Sequence, residues 1–226
     1  MTLQATVRPE PERAEAQERR GRSRVLTVAV VGPAGAGKTA VLEATARQLR
    51  GRTRVAIVAI HPAADRDADR CSRYSAHVQA VKTATPSFGA ISPALAKVDW
   101  ANTDILFIES VGGIAGPPDL GQDVTVTVLG VTGGHDMAAE YAALLAASPV
   151  LILAQADLQR HVVFDMGAFR ADVRRINPLA DLIEVSAFEN AGIARWLAWL
   201  DRRRQEKDPG YHPPEPPKPP PEWFFG

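Results

Sequence analysis

The chain has 226 residues, enough for one core of ordinary domain size once its polar ends are set aside. Its 26 Lys and Arg balance 26 Asp and Glu, so no net field draws it to nucleic acid or to an anionic membrane, and neither is expected as a principal partner. A single cysteine, Cys71, rules out an intrachain disulfide and suits a reducing compartment, and no apolar run is long enough to span a bilayer.

Residues 1–24 are rich in Arg, Glu, Gln and Ala and poor in large apolar side chains, a composition that reads as a mobile arm. Arg19-Arg20 stands before a hydrophobic stretch in the manner of a twin-arginine export signal, but that stretch is the first strand of the domain, so a cytoplasmic location is expected. From Val25 to Arg203 apolar strand patterns alternate with helical ones. The strand candidates are Val25–Val31, Arg54–Ile60, Asp104–Glu109, Asp123–Val131, Pro149–Ala154 and Leu182–Ser186. Such alternation predicts an α/β domain with a doubly wound, mostly parallel sheet and crossover helices on both faces.

After the first strand the chain reads Gly32-Pro33-Ala34-Gly35-Ala36-Gly37-Lys38-Thr39, followed by Ala40 and a helical stretch to Arg50. This is a P-loop in its proper setting. Gly32, Gly35 and Gly37 allow backbone angles that aim successive N–H groups at a phosphate, and the helix N-terminus adds its partial positive charge. Lys38 is expected to reach the β- and γ-phosphates and Thr39 to place its hydroxyl on Mg²⁺.

Farther along, Ile105-Leu106-Phe107-Ile108 marks a buried central strand that ends in Glu109-Ser110-Val111-Gly112. A carboxylate at the carboxyl end of such a strand sits where ligands collect in open α/β sheets. Glu109 is therefore expected to hold Mg²⁺ through water or to orient the attacking water, and the Gly112 N–H to sense the γ-phosphate. Catalytic roles thus fall on Lys38 and Glu109. The last segment, 204–226, carries a run of prolines suited to polyproline II geometry and closes on Glu222-Trp223-Phe224-Phe225-Gly226, aromatic anchors for a groove on a partner or on a second copy of the chain.

The P-loop, the Glu109-Ser110-Val111-Gly112 turn, Asp67-Ala68-Asp69-Arg70, and Arg174-Arg175-Ile176-Asn177-Pro178-Leu179-Ala180 ahead of Ser186-Ala187 resemble the nickel-insertion GTPases of the HypB/UreG family. The closing helix with Trp196 and Trp199 leans toward the hydrogenase-maturing HypB branch. The resemblance implies a SIMIBI-type GTPase that binds GTP and Mg²⁺, forms a homodimer, and helps deliver nickel to a hydrogenase precursor alongside other maturation proteins. It places Asp157, Ser186 and Ala187 around the guanine base.

Three departures from the family pattern qualify that expectation. Ala154-Gln155-Ala156-Asp157 stands where the family has Asn-Lys-X-Asp, so Asp157 can still accept from guanine, while the Lys stem over the base and the Asn that ties the loop are missing. Asp157 reads equally as a helix N-cap. The stretch Thr83–Pro93 has no Cys or His, so the usual nickel site is absent and the nickel ligands are unknown; the Cys71 and His77 spacing does not share a helix face, and Cys71 reads more readily as a buried hydrophobe. His61 replaces a carboxylate at the end of the second strand, with Asp65 and Asp67 nearby, which predicts slow hydrolysis. A non-hydrolysing assembly module is the alternative; a small-molecule kinase lacks an Arg-bearing lid.

Overall fold

The structure, a computed structural model, describes residues 24–60, 69, 71–73, 75 and 77–213. His61, Asp65, Asp67, Ala68 and Arg70, with the arm before Arg24 and the Pro-rich and aromatic tail beyond Pro213, lie outside the described residues.

Seven strands form one parallel sheet: β1 (Leu26–Gly32), β2 (Val55–Ile60), β3 (His77–Val81), β4 (Ile105–Val111), β5 (Val124–Gly130), β6 (Val150–Ala154) and β7 (Asp181–Val185), in the order β3-β2-β4-β1-β5-β6-β7. The helices include α1 (Lys38–Leu49), α2 (Phe88–Leu95), α3 (Met137–Glu140), α4 (Ala142–Ala146), α5 (Met166–Ile176) and α6 (Ile193–Lys207). Strand residues alternate between the two faces as a period of two requires. Val28 and Val30 of β1, with Ile105 and Phe107 of β4, join α1 and α6 in one core. Ala29 and Val31, with Leu106 and Ile108, join Ile91, Leu95 and Leu144 on the other. The expected doubly wound α/β fold is present.

β3 was missed by the strand pattern. It is an edge strand paired only to β2, half-exposed, and carries His77 and Gln79 among its apolar residues. Part of the Thr83–Pro93 stretch is helical: Ser87 caps α2 by accepting from the Ala90 N–H at 3.3 Å. On the α6 side, Trp196 and Trp199 stack at 5.4 Å between centroids, and the Trp196 indole donates to Thr45 Oγ1 of α1 at 3.0 Å. α6 runs through position 203 to Lys207, whose ammonium reaches the Asp123 carboxylate beside β5. Tyr211 still packs on this helix, with the Arg204 guanidinium 3.6 Å from its ring centroid.

Strands β2 and β4 lie on one side of β1 and β5 to β7 on the other, so the winding reverses around β1. A sheet of this kind opens a crevice at the carboxyl ends of the strands flanking the reversal, and the P-loop leaves β1 there.

Candidate functional site

The loop between β1 and α1 is held tightly from beneath. A Cβ on Gly32 would lie 2.0 Å from the Val128 carbonyl oxygen of β5, so only glycine admits that approach. Gly35 (φ 78°) and Gly37 (φ 89°) occupy the left-handed region, and Gly37 opens α1 as its N-cap without a side-chain bond. Ala36 N donates back to Pro33 O, closing the turn, while Pro33 and Ala34 form its outer rim and Ala40 continues the first turn of α1. The first helical N–H groups therefore face the crevice above β1.

Lys38, nearly buried, folds over this loop and donates to Gly32 O at 3.0 Å and Pro33 O at 2.8 Å. Thr39 donates through Oγ1 to Glu109 Oε1 at 2.5 Å, both side chains being buried. Their meeting follows from strand parity: Glu109 is two residues beyond Phe107, which faces α1, and Thr39 stands in the first turn of that helix. Strand pairing sets Glu109 level with Val30 and Ala59, above the apolar part of the sheet. A hydroxyl and a carboxylate so placed form a pair of hard oxygen donors beside a lysine, a combination suited to Mg²⁺ and phosphate.

The Gly112 N–H, expected to sense a γ-phosphate, donates to Gly32 O at 3.0 Å. A Cβ on Gly112 would meet Leu144 Cδ1 at 2.9 Å and Gly32 N at 3.1 Å, so the turn after β4 and the P-loop are in direct backbone contact. A displacement of either is felt by the other.

On the other flank, Asp157 lies in the first turn of a 3-10 helix, Ala156–His161, after β6. The residue before that helix is Gln155 and makes no side-chain cap; Asp157, in the helix's first turn rather than at its N-cap, is half-exposed. Ser186 and Ala187 follow the neighbouring strand β7 in a closed turn: Ser186 N donates to Ala191 O, and Ser186 Oγ accepts from the Glu189 N–H at 3.0 Å. Arg160 and Glu189 approach to 3.9 Å and bring the two turns together. The loop tie that the missing Asn would have provided is present in another form. Gln155 donates from Nε2 to Gly35 O of the P-loop at 3.1 Å and accepts at Oε1 from Thr132 Oγ1 at 2.7 Å. Nothing local to Gln155 signals this contact, since Gly35 is 120 positions away in sequence.

The other residues singled out in the sequence take structural places. Cys71 is fully buried in the core beneath β1 and β2. His77 lies in β3, and among the described residues no group of three or more His, Cys, Asp or Glu is gathered as a metal would require. Outside the residues singled out in the sequence, His135 pairs with its neighbour Asp136 at 3.4 Å and meets Phe164 edge-on. Asn177 ends α5 and donates from Nδ2 to Leu145 O and Ser148 O, which anchors that helix to the entry of β6. No described helix is long and apolar enough to cross a membrane.

A family profile described as "CobW/HypB/UreG, nucleotide-binding domain" matches residues 26–184. The chain is similar to the hydrogenase maturation factor HypB of Azotobacter vinelandii, 34% identical over 197 residues that cover 84% of this chain and 65% of that protein. It therefore spans about two thirds of that relative's length. Among solved structures, HypB of Archaeoglobus fulgidus superposes with a TM-score of 0.75 at 24% identity, covering 85% of this chain and 96% of that one. HypB of Helicobacter pylori, solved in complex with nickel, gives a TM-score of 0.78 at 21% identity over 87% and 95% of the two chains. The extent of the profile match, a P-loop set at the reversal of a doubly wound sheet, and the identity to HypB lead to one conclusion: this chain belongs to the CobW/HypB/UreG nucleotide-binding family.

Proposed function

We propose that the chain is a GTP-binding accessory factor for nickel insertion during maturation of nickel–iron hydrogenase, hydrolysing GTP slowly in the cytoplasm. The observation that carries the proposal is the buried Thr39–Glu109 pair at 2.5 Å beside Lys38, at the mouth of a loop whose glycines leave backbone N–H groups for phosphate. Gly32 to Ala40 cradle the phosphates in this reading, Gly112 responds to the γ-phosphate, and Asp157, Ser186 and Ala187 receive the base. Thr39 and Glu109 would hold Mg²⁺, whose charge would neutralise the phosphate oxygens. Glu109 also stands where it can orient water, and Lys38 supplies positive charge that no solvent replaces.

Guanine is favoured over adenine because the carboxylate of Asp157 accepts from N–H groups that adenine does not present, and no cap or ion pair in its own turn occupies that carboxylate. A homodimer is supported by the apolar side chains exposed on the nucleotide side of the sheet. Ile114, Val163 and Phe188, exposed to 62%, 93% and 90%, all follow the carboxyl ends of strands. Nickel is cargo in this scheme. Its ligands are unassigned, and the partners are a hydrogenase precursor and other maturation proteins.

The test is binding of labelled GTP and ATP with and without Mg²⁺, followed by phosphate release, in the wild type and in Lys38→Ala. GTP binding that depends on Mg²⁺ and on Lys38 is expected, with slow release. Equal GTP affinity in Lys38→Ala would remove the basis of the proposal, and binding without any phosphate release would leave a non-hydrolysing assembly module.

A further inference from the structure

The edge of the sheet opposite the phosphate loop carries a recess of its own. A cavity of about 500 Å³, within the size range of small-molecule sites, opens where the chain enters β1, β2 and β4: Val25, Arg54 and Asp104 on its wall each stand immediately before one of those strands. The end of α6 supplies another wall. There the chain turns at Asp208, with Tyr211 N donating to Asp208 O at 2.8 Å, and lays the Tyr211 ring over the Arg204 guanidinium at 3.6 Å. Trp100 adds a second aromatic surface, its indole N–H already donating to Leu95 O at 3.2 Å.

Arg204 is the group whose chemistry is incomplete. Its side chain is only 10% exposed, yet among the described residues its guanidinium approaches Thr53 Oγ1 at 3.5 Å and Asp104 Oδ1 at 3.7 Å, the limit of a hydrogen bond and beyond it. Asp104 is engaged elsewhere: its carboxylate accepts from the Arg54 main-chain N–H at 2.8 Å and from Arg54 Nε and Nη2 at 3.1 and 2.8 Å. Arg54 also donates from Nη1 to Ala101 O and Asn102 Oδ1, so all three of its side-chain nitrogens are used. A buried cation with so few bonds is costly unless an anion completes it. Tyr211 covers a face of the Arg204 guanidinium, and the N–H groups lie along its edge, open to a ligand in the cavity.

Local charge decides what that ligand is. Arg24, Arg54 and Arg204 stand around the cavity with Asp104 and Asp208, three positive groups against two negative, an excess of one. A planar carboxylate matches both that excess and the fork of a guanidinium, whereas a phosphate dianion would bring a second charge against the two aspartates. The surfaces of Tyr211 and Trp100 suit an apolar body. We propose that this cavity binds an organic monocarboxylate with an apolar or aromatic body, held by Arg204, whether a free acid or the carboxyl end of a peptide. No residue of the nucleotide site takes part, so the inference stands apart from the nucleotide-binding reading.

The experiment titrates the full-length chain by calorimetry with phenylacetate, its neutral amide phenylacetamide, phenyl phosphate, and N-acetyl-glycyl-phenylalanine bearing a free carboxylate. Phenylacetate should bind the wild type with a Kd of about 1 mM or below, and Arg204→Met should weaken it by about tenfold or more, the worth of a charge-assisted hydrogen bond. Phenylacetamide should bind the wild type more weakly by a similar factor. Lys38→Ala, which disables the phosphate loop, should leave phenylacetate binding as it is and should bind phenyl phosphate more weakly than phenylacetate. Loss of phenylacetate binding in Lys38→Ala would place the probe in the phosphate loop and overturn the proposal, and phenyl phosphate binding the tighter there would overturn it too. So would no phenylacetate binding at ~10 mM, equal binding of acid and amide, or an unchanged affinity in Arg204→Met. Should Arg204→Met fail to fold, the comparison of acid with amide in the wild type decides the matter. Tighter binding of the acetylated dipeptide than of phenylacetate identifies a peptide end as the ligand and the reverse order a free acid, and either order supports the site.

Discussion

Thr39 and Glu109 provide the sharpest test of how the site is held. Their 2.5 Å bond is made where both side chains are buried, so losing the hydroxyl deprives a desolvated carboxylate of a donor that water does not readily replace. A hydrogen bond to a charged group contributes about 1.5–3 kcal/mol. Thr39→Ala should cost that much, and at ~2–4 °C per kcal/mol for a chain of this size the melting temperature should fall by roughly 3–12 °C. Thr39→Ser keeps the hydroxyl and should lose far less, while Glu109→Gln keeps an acceptor but removes the charge. A double-mutant cycle over Thr39→Ala and Glu109→Gln, followed by thermal or denaturant unfolding, isolates the pair. The expected coupling is at least ~1 kcal/mol, since the charge-assisted part of the bond is lost in either single variant. The same variants should bind GTP with little or no response to Mg²⁺, while Thr39→Ser responds normally. Coupling under about 0.5 kcal/mol, the usual error of additivity, together with a full Mg²⁺ response in Thr39→Ala, would refute the argument.

Other outcomes follow from the same residues. The hydrogen bond from Arg54 holds the Asp104 carboxyl below its ordinary range, so this pair contributes stability that is present above the unfolded carboxylate pKa of about 4 and is lost as pH falls through the lower folded value. Asp104→Asn should flatten the acid limb of a stability-versus-pH curve below about pH 4, and an unchanged limb would assign it to other carboxylates. Calorimetry with nickel or zinc should give weak binding or none, because no set of ligands converges among the described residues; stoichiometric sub-micromolar binding, a Kd below ~1 μM, would locate a site elsewhere in the chain. Deleting residues 213–226 should spare nucleotide binding and weaken association with a client or in a dimer, and wild-type oligomerisation with full maturation activity would show the aromatic end to be dispensable.

Much of this was legible in the sequence because it is carried by local pattern. The glycine spacing of the P-loop, the apolar run ending in Glu109 and the alternation of strands with helices each depend on neighbours a few residues apart, and together they named the fold class and the family. Strand parity even anticipates that Glu109 and Thr39 face each other, once β4 is known to lie beside β1. That adjacency is a matter of topology. β3 escaped notice because an edge strand with half-exposed His77 and Gln79 has neither the continuous run of a buried strand nor a clean alternation. The Gly112 N–H was assigned to a phosphate from its motif, yet its bond to Gly32 O depends on how closely two loops from adjacent strands approach. Gln155 shows the limit most clearly. In sequence it is the residue that replaces a lysine and so subtracts from a motif, but the backbone turn at φ 60°, the hollow above Gly130 and a carbonyl 120 positions away make it a link between the turn after β6 and the P-loop. Composition and periodicity determine which elements form and which faces they bury. Contacts between distant loops depend on the packed sheet that brings their ends together, and no local pattern encodes them.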